Sequence, residues 1–169
     1  AFWVSAGSMA PRVTNPCAAV ATLETTTNKQ NYDHLAFDPT TQEFCCFDWR
    51  APKAIDTNTF TFIFVWSHPS TATNFGVVWG ISAAGRGDGD AMEIAMGTAV
   101  TATDTGGTTD TIYVSPVTAA MTVGGTFAAE DLLKFQISRN PSDGSDTLAV
   151  DARLHGVWVI VNNNRNTEA

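Results

Sequence analysis

The segment LLKFQISRNPSDGSDTLAVDARLHGVWVIV, residues 132–161, decides the fold class. Two apolar runs flank a turn-rich, acidic stretch in which Pro141 and Gly144 interrupt regular structure. Neither run repeats its apolar residues at helical spacing, so the sequence predicts strands at 132–139 and 153–161. Two strands with no helix to pack against are typical of the closing pair of a β-sandwich.

The run at 59–66 is the strongest local signal. Phe60, Phe62, Phe64 and Trp66 recur at every second position and share one face of a strand. The opposite face, Thr61, Ile63 and Val65, is also largely apolar. The sequence therefore predicts a central strand covered on both sides.

Further strands follow from short apolar runs between turn signals, at 34–37, 43–49, 75–82, 99–103, 111–114 and 121–123. One helical turn is expected at 90–96. Parallel sheets need crossover helices, and the chain has almost no sequence from which to build them. The prediction is an all-β protein with about eight strands, arranged as an antiparallel, jelly-roll-like β-sandwich.

The domain prediction divides the 169 residues into two parts. Residues 1–31 form an extended N-terminal arm that contains Pro11 and Pro16, and residues 32–169 form one sandwich domain with a short polar C-terminal tail. The arm is expected either to lie across its own sandwich or to reach a neighbouring subunit, and the crossing to a neighbour is preferred. Phe2 and Trp3 are the residues expected at a subunit interface, because large apolar side chains of this kind need another surface to bury them.

Charge and hydropathy exclude two classes of partner. The net charge is −8 and the nine Lys and Arg residues are scattered, whereas nucleic-acid binding requires clustered basic side chains. No apolar run approaches the roughly 20 residues of a membrane helix. The first residues lack the pattern of a signal peptide, so synthesis in the cytoplasm is expected.

Three cysteines cannot all pair within one chain. Cys45 and Cys46 are adjacent in a predicted strand and point to opposite faces, with Cys45 on the core side beside Phe47 and Trp49. Three buried thiols are expected, although a disulfide from Cys17 to one of the pair is also compatible with the sequence.

Asp88, Asp90 and Glu93 have alternating spacing that can gather carboxylates around Ca²⁺. The later ligand positions of an EF-hand are missing, however. The preferred interpretation is a solvated turn, in which Asp88 or Asp90 caps the helical turn. No metal site and no cofactor are predicted.

An acidic cluster near the C-terminus combines three carboxylates with two arginines: Asp143, Asp146, Asp151, Arg139 and Arg153. Paired catalytic carboxylates need a fixed gap across a cleft, whereas these lie in one turn and at the start of one strand. A structural network of ion pairs and turns is therefore expected. The histidines and serines stand in no catalytic motif, so the chain is predicted not to be an enzyme.

The five tryptophans define an alternative. Exposed coplanar rings stack on sugars, so a carbohydrate-binding module that mediates host attachment is the second hypothesis. Four of the rings lie in apolar strand patterns and are expected in the core. Only Trp3 is expected to be free to anchor a partner.

The C-terminal pattern F-x-x-x-R-x-x-x-D-x-S-D-T-L-x-x-D-A-R-L-x-G-V begins at Phe135 and ends at Val157. It resembles the C-terminus of small structural proteins encoded by tailed phages and prophages. The similarity extends to S-A-x-x-M-x-P-R-x-T-x-x-C at 5–17, E-T-T-T-N at 24–28, L-x-F-D at 35–38, V-W-G at 78–80, D-G-D-A at 88–91 and D-T-G-G at 104–107. These motifs follow the same order along nearly the whole chain.

The resemblance implies a virion structural protein, exposed on the head or forming part of the tail. Its partners would be other virion proteins and further copies of itself, with a homotrimer as the expected state. Localisation in the virion follows from the same resemblance. It implies no catalytic residues.

Overall fold

Twelve β-strands and a 3₁₀ turn form the regular structure of residues 1–55, 59–70 and 75–161, the part of the chain that this computed structural model describes. The strands are β1 (Phe2–Ser5), β2 (Ala10–Pro11), β3 (Ala21–Glu24), β4 (Asn31–Phe37), β5 (Phe44–Arg50), β6 (Thr59–Ser67), β7 (Phe75–Arg86), β8 (Val100–Gly106), β9 (Tyr113–Val114), β10 (Met121–Thr122), β11 (Leu132–Arg139) and β12 (Ala152–Val161). The 3₁₀ turn occupies Ala6–Ser8. No helix in these residues has the length and apolarity to cross a bilayer.

The strands form two antiparallel sheets. The seven-stranded sheet has the order β10-β6-β12-β4-β3, with β1 paired to β12 and β9 paired to β6. The five-stranded sheet has the order β2-β5-β11-β7-β8. Consecutive strands β4, β5, β6 and β7 alternate between the sheets, and β11 and β12 do the same.

This alternation is the topology of a jelly roll. The core of one sheet is β4-β12-β6-β10, and the core of the other is β5-β11-β7-β8. The short strands β9 and β10 both pair with β6, and together they take the place of one full strand. The predicted antiparallel, jelly-roll-like sandwich is confirmed. The expected number of about eight corresponds to this core, and the short strands β1, β2 and β3 are additions to it.

Side chains from both sheets fill the interior. Phe60, Phe62, Phe64 and Trp66 are all 0% exposed, as their spacing predicts. Across the interface, the ring of Phe135 on β11 lies edge-on to Phe62, and the ring of Trp79 on β7 is stacked with Phe64. The outward residues of β6 are only half-buried, so this strand is covered fully on its inner face alone.

Residues 1–31 lie across their own sandwich. Strand β1 pairs with the C-terminal half of β12, β2 pairs with β5, and β3 pairs with β4. Ala6 and Met9, which follow β1, are 0% and 5% exposed. The segment therefore adds strands to both sheets of its own chain. The tail at 162–169 lies outside the described residues.

The expected helical turn at 90–96 is wrong. Arg86 donates from Nε to the carbonyl of Met92 at 2.6 Å, and Gly97 donates its N–H to the carbonyl of Ala83 at 2.9 Å. These bonds tie the segment to the end of β7, so its backbone groups do not close helical bonds. A β-carbon on Gly97 would stand 2.1 Å from the carbonyl oxygen of Thr122, so only glycine fits there.

Candidate binding site

The outer surface of the seven-stranded sheet carries an apolar patch. Trp3 on β1 lies directly opposite Trp158 on β12, and Trp158 lies opposite Ile63 on β6. Directly paired residues of antiparallel strands point to the same face. We use the name tryptophan face for the side chains on this surface: Trp3, Ile63, Val65, Val114, Trp158 and Ile160.

The two indole rings of this face are exposed and in contact. Trp3 and Trp158 are 41% and 43% exposed, their ring centroids are 5.9 Å apart and their planes are tilted by 55°. Trp3 lies over Gly156, where a β-carbon would come within 2.4 Å of the indole. The absence of a side chain at Gly156 therefore leaves the space that the indole ring of Trp3 occupies.

Phe2 has a different environment from Trp3. Its ring stacks on Trp49 of the opposite sheet, with a centroid distance of 4.7 Å and an interplanar angle of 20°. Phe2 thus packs against the core of its own chain. Of the two residues expected at a subunit interface, Trp3 lies on an open surface and Phe2 is partly buried against the core of its own chain.

A pocket lies beside His155, the residue that precedes Gly156 in β12. Its volume is about 320 Å³. The β3–β4 hairpin and the segment before β9 provide its walls, and β4, β6 and β12 complete the lining. The lining residues are Leu23, Glu24, Thr25, Thr26, Tyr32, Ser67, Asp110, Ile112 and His155.

Two buried polar residues lie deepest in this lining. Ser67 is 1% and His155 is 7% exposed, and Ser67 Oγ lies 2.8 Å from His155 Nε2. His155 Nδ1 lies 3.1 Å from the carbonyl oxygen of Asp33. A carbonyl only accepts, so Nδ1 holds the proton, and in the neutral ring Nε2 accepts from the Ser67 hydroxyl.

The histidine is neutral because it is buried. Desolvation lowers the pKa of His155 below its usual value, and this effect outweighs the hydrogen bond to Asp33, which raises it. A neutral histidine that accepts from a serine hydroxyl is also found in nucleophilic catalysis. Here the hydroxyl is almost completely enclosed, and we interpret the pair as a fixed polar floor.

Hydrogen bonds and ion pairs within the protein stabilise both walls of the pocket. Gln30 donates its N–H to Thr25 Oγ1 at 2.9 Å and so closes the β3–β4 hairpin, while Lys29 pairs with Glu24 at 3.4 Å. On the other wall, Arg153 Nη1 donates to Asp110 Oδ1 at 2.6 Å. Each lining carboxylate is thus balanced by a cation beside it.

The C-terminal acidic cluster divides into separate structural roles. Arg139 forms a two-point ion pair with Asp146, as expected of a structural network. Arg153, in contrast, pairs with Asp110, which is distant in sequence. Asp143 accepts from the N–H of Ser145 and shapes the turn.

The calcium candidates are not brought together. Asp90 Oδ2 accepts from the N–H of Gly87 at 2.8 Å and closes a turn, as expected, but no helical turn follows for it to cap. Over residues 1–55, 59–70 and 75–161, no three His, Cys, Asp or Glu side chains converge to hold a metal ion, and this includes Asp88, Asp90 and Glu93.

The cysteines are free thiols, so the structure contains no disulfide from Cys17. Cys17 and Cys45 are buried and Cys46 is half-buried, so two of the three follow the expectation of full burial. Cys45 and Cys46 do point to opposite sides of β5. The hydrogen bond with Cys17 and desolvation raise the pKa of Cys45 well above its usual value, which makes it an unreactive core residue.

The tryptophans depart from expectation at one position. Trp66 and Trp79 are fully buried and Trp49 packs against the core, as predicted. Trp158 was expected in the core but is exposed beside Trp3. Its alternation with the buried Val157 and Val159 was the available signal, because alternate residues of a strand face opposite sides.

No protein-family model matches the chain, and no curated protein matches it in sequence. Among solved structures, the chain is similar to a carbohydrate-binding module, CBM35 from Cellvibrio japonicus Abf62. The TM-score is 0.40 at 12% identity, over 92% of this chain and 96% of that one.

Proposed function

We propose that the protein is a virion structural component that assembles with further copies of itself through the tryptophan face. The observation that supports this role is the exposed pair Trp3 and Trp158 among the uncharged side chains of the tryptophan face. Aromatic residues clustered in this way are typical of the central contacts of protein interfaces. The motif resemblance provides the virion setting.

Charge favours this face over other surfaces for self-association. Copies with a net charge of −8 repel one another through their charged surfaces. None of the six side chains of the tryptophan face is ionisable, so contact between these side chains buries no charge. A specific contact should bury at least about 1,000 Å² in total, so side chains that border the tryptophan face would also take part.

Carbohydrate binding is the second candidate, although the tryptophan pair is a poor platform for it. Sugar stacking on neighbouring rings is best served by coplanar surfaces, and these rings are tilted by 55°. Trp66 and Trp79 are buried and unavailable. The observation that favours a sugar ligand is the separate pocket beside His155.

Sedimentation velocity on the purified chain tests the assembly role. The wild type is expected to form a discrete oligomer, with a trimer as the specific expectation, and Trp158→Thr is expected to shift it to monomer. Threonine keeps strand propensity while removing the ring, so circular dichroism should show an unchanged fold.

Val13→Glu is the control, because Val13 is 98% exposed and lies outside the tryptophan face. It should leave the oligomer intact. A wild type that is monomeric at all concentrations, or an oligomer that survives Trp158→Thr unchanged, would contradict the proposal.

A further inference from the structure

We infer that the pocket lined by Tyr32, Asp110 and His155 binds a single neutral pyranose unit of a glycan. This inference is independent of the assembly role, because its residues lie outside the tryptophan face. It gives the carbohydrate hypothesis a site that the tryptophans do not supply.

Size limits the ligand to a small molecule. Small-molecule sites typically measure about 300–1,000 Å³, and a pocket of about 320 Å³ lies at the lower end of that range. There is room for one ring but not for an extended chain. The site would therefore take a terminal sugar.

The chemistry of the lining matches a polyhydroxylated ring. Glu24 and Asp110 offer carboxylate oxygens that accept from sugar hydroxyls, and Thr25 and Thr26 add hydroxyl groups. Tyr32, with Leu23 and Ile112, provides apolar surface for the C–H face of the ring. A mixture of apolar walls and a few fixed polar groups is typical of a ligand site.

The balance of charge favours a neutral ligand. Lys29 pairs with Glu24, Arg153 pairs with Asp110, and burial keeps His155 neutral. An anionic sugar would meet two carboxylates whose cations are already engaged. A cationic one would have to compete with those same cations.

The site is fixed before any ligand arrives. The Ser67–His155–Asp33 chain of hydrogen bonds immobilises the floor, and Tyr32 lies edge-on to the His155 ring with centroids 5.9 Å apart. A rigid lining lowers the entropy lost on binding. Many copies on one particle, the setting of the proposed function, would strengthen binding further through multivalency.

Saturation-transfer difference NMR tests the inference on the intact chain. The probes are the methyl glycosides of glucose, galactose, mannose and N-acetylglucosamine, with methyl glucuronide as the anionic comparison. At least one neutral glycoside should receive saturation, and methyl glucuronide should receive less. Tyr32→Ala and Glu24→Gln should each weaken binding by about tenfold or more, equivalent to about 1.4 kcal/mol.

Trp158→Thr is the matched control, and it should leave glycoside binding unchanged even if it dissociates the oligomer. Thr26→Arg, which fills the pocket from an exposed position, provides a second blocking variant that does not disturb the core. The inference is overturned if none of the four glycosides receives saturation, or if Tyr32→Ala and Thr26→Arg both bind normally. Loss of binding in Trp158→Thr alone would place the sugar on the tryptophan face and also overturn it.

Discussion

Arg139 and Asp146 form a two-point ion pair at the end of the sandwich, with side chains 0% and 1% exposed. Nε and Nη2 of the arginine donate to the two carboxylate oxygens at 3.0 and 2.7 Å. The guanidinium also donates to the carbonyl groups of Phe37, Leu148 and Val150, and Asp146 accepts from the N–H of Val78. The pair fastens the 140–151 segment to both sheets.

This arrangement assigns a structural role to the C-terminal motif. Thr147 accepts from the N–H of Gly76 and donates its own N–H to the Gly76 carbonyl, while Leu148 is 2% exposed. A β-carbon on Gly76 would stand 2.2 Å from the carbonyl oxygen of Ser145. Motif residues that include Arg139, Asp146, Thr147 and Leu148 therefore maintain the fold.

Asp146→Asn should lower the free energy of unfolding by about 3–5 kcal/mol, because it leaves the Arg139 charge buried without a counter-ion. Urea denaturation of the wild type and variant measures this difference. Asp48→Asn is the matched control, since the Asp48–Lys134 pair is 2.6 Å long but about half exposed. It should cost no more than about 1 kcal/mol. Equal losses at both sites would contradict the importance of burial.

Deleting residues 1–12 should lower the free energy of unfolding by about 3 kcal/mol or more, from the burial of Phe2 and Met9 alone. Thermal melts of both chains at two protein concentrations measure it. Because β1 pairs with β12 of the same chain, the loss of stability should persist at concentrations low enough for the wild type to be monomeric. A difference that disappears on dilution would indicate that the segment acts between subunits.

Phe64→Ala should destabilise the chain by about 3–5 kcal/mol, the usual range for a truncated core aromatic. The side chain is 0% exposed and stacks on Trp79 with centroids 6.0 Å apart. Chemical denaturation provides the measurement. Val117→Ala, at a side chain 55% exposed, should change stability by no more than about 0.5 kcal/mol. A small effect at Phe64 would mean that the core is packed differently.

Calcium should not stabilise the protein through Asp88, Asp90 and Glu93. Differential scanning calorimetry with EDTA and with excess calcium is expected to give the same melting temperature. Binding with free ligand at 100 times the Kd would add about 2.7 kcal/mol, which a melt detects readily. A calcium-dependent rise that disappears in Asp90→Asn would establish a site at this turn.

Stability should fall as the pH drops below about 6.5, the usual pKa of an unfolded histidine. Desolvation lowers the pKa of His34, His68 and His155 in the folded chain. Between the unfolded and folded pKa values, the unfolded state binds more protons, so the free energy of unfolding decreases with falling pH. Above about pH 7 these histidines are neutral in both states, so they do not make the free energy of unfolding depend on pH.

Denaturation at about pH 5.5 and at about pH 7.5 tests this linkage. His155→Asn should reduce the loss of stability between the two values, because asparagine does not titrate and can still donate to Asp33. Tyr32→Phe, which removes a hydroxyl next to the same ring, should leave the loss unchanged. A wild type that is equally stable at both values would refute the prediction.

Local sequence patterns determined the core strands and the fold class, but not the short strands β1, β2 and β3. The run 132–139 is β11 with the predicted bounds, and 59–66 becomes β6 with one added residue. Alternation of large apolar residues is a property of neighbours in sequence, so it can be read without the partner strand. Strand β7 is longer than the expected 75–82. Residues 83–86 belong to the strand because they pair with β11, and this pairing is not visible in the local sequence.

Tertiary structure alone decided which surfaces can bind. Alternation places Trp158 on one face of β12 and Val157 and Val159 on the other face. Which of the two faces is exposed to solvent depends on how the sheets pack. Ser67 and His155 meet across 88 positions of sequence. The register shift between Leu154 and Gly156 leaves His155 as an unpaired bulge residue between β12 and β6. Long-range register of this kind is set by the whole sheet, so the sequence determined the sandwich and the tertiary structure determined the pocket.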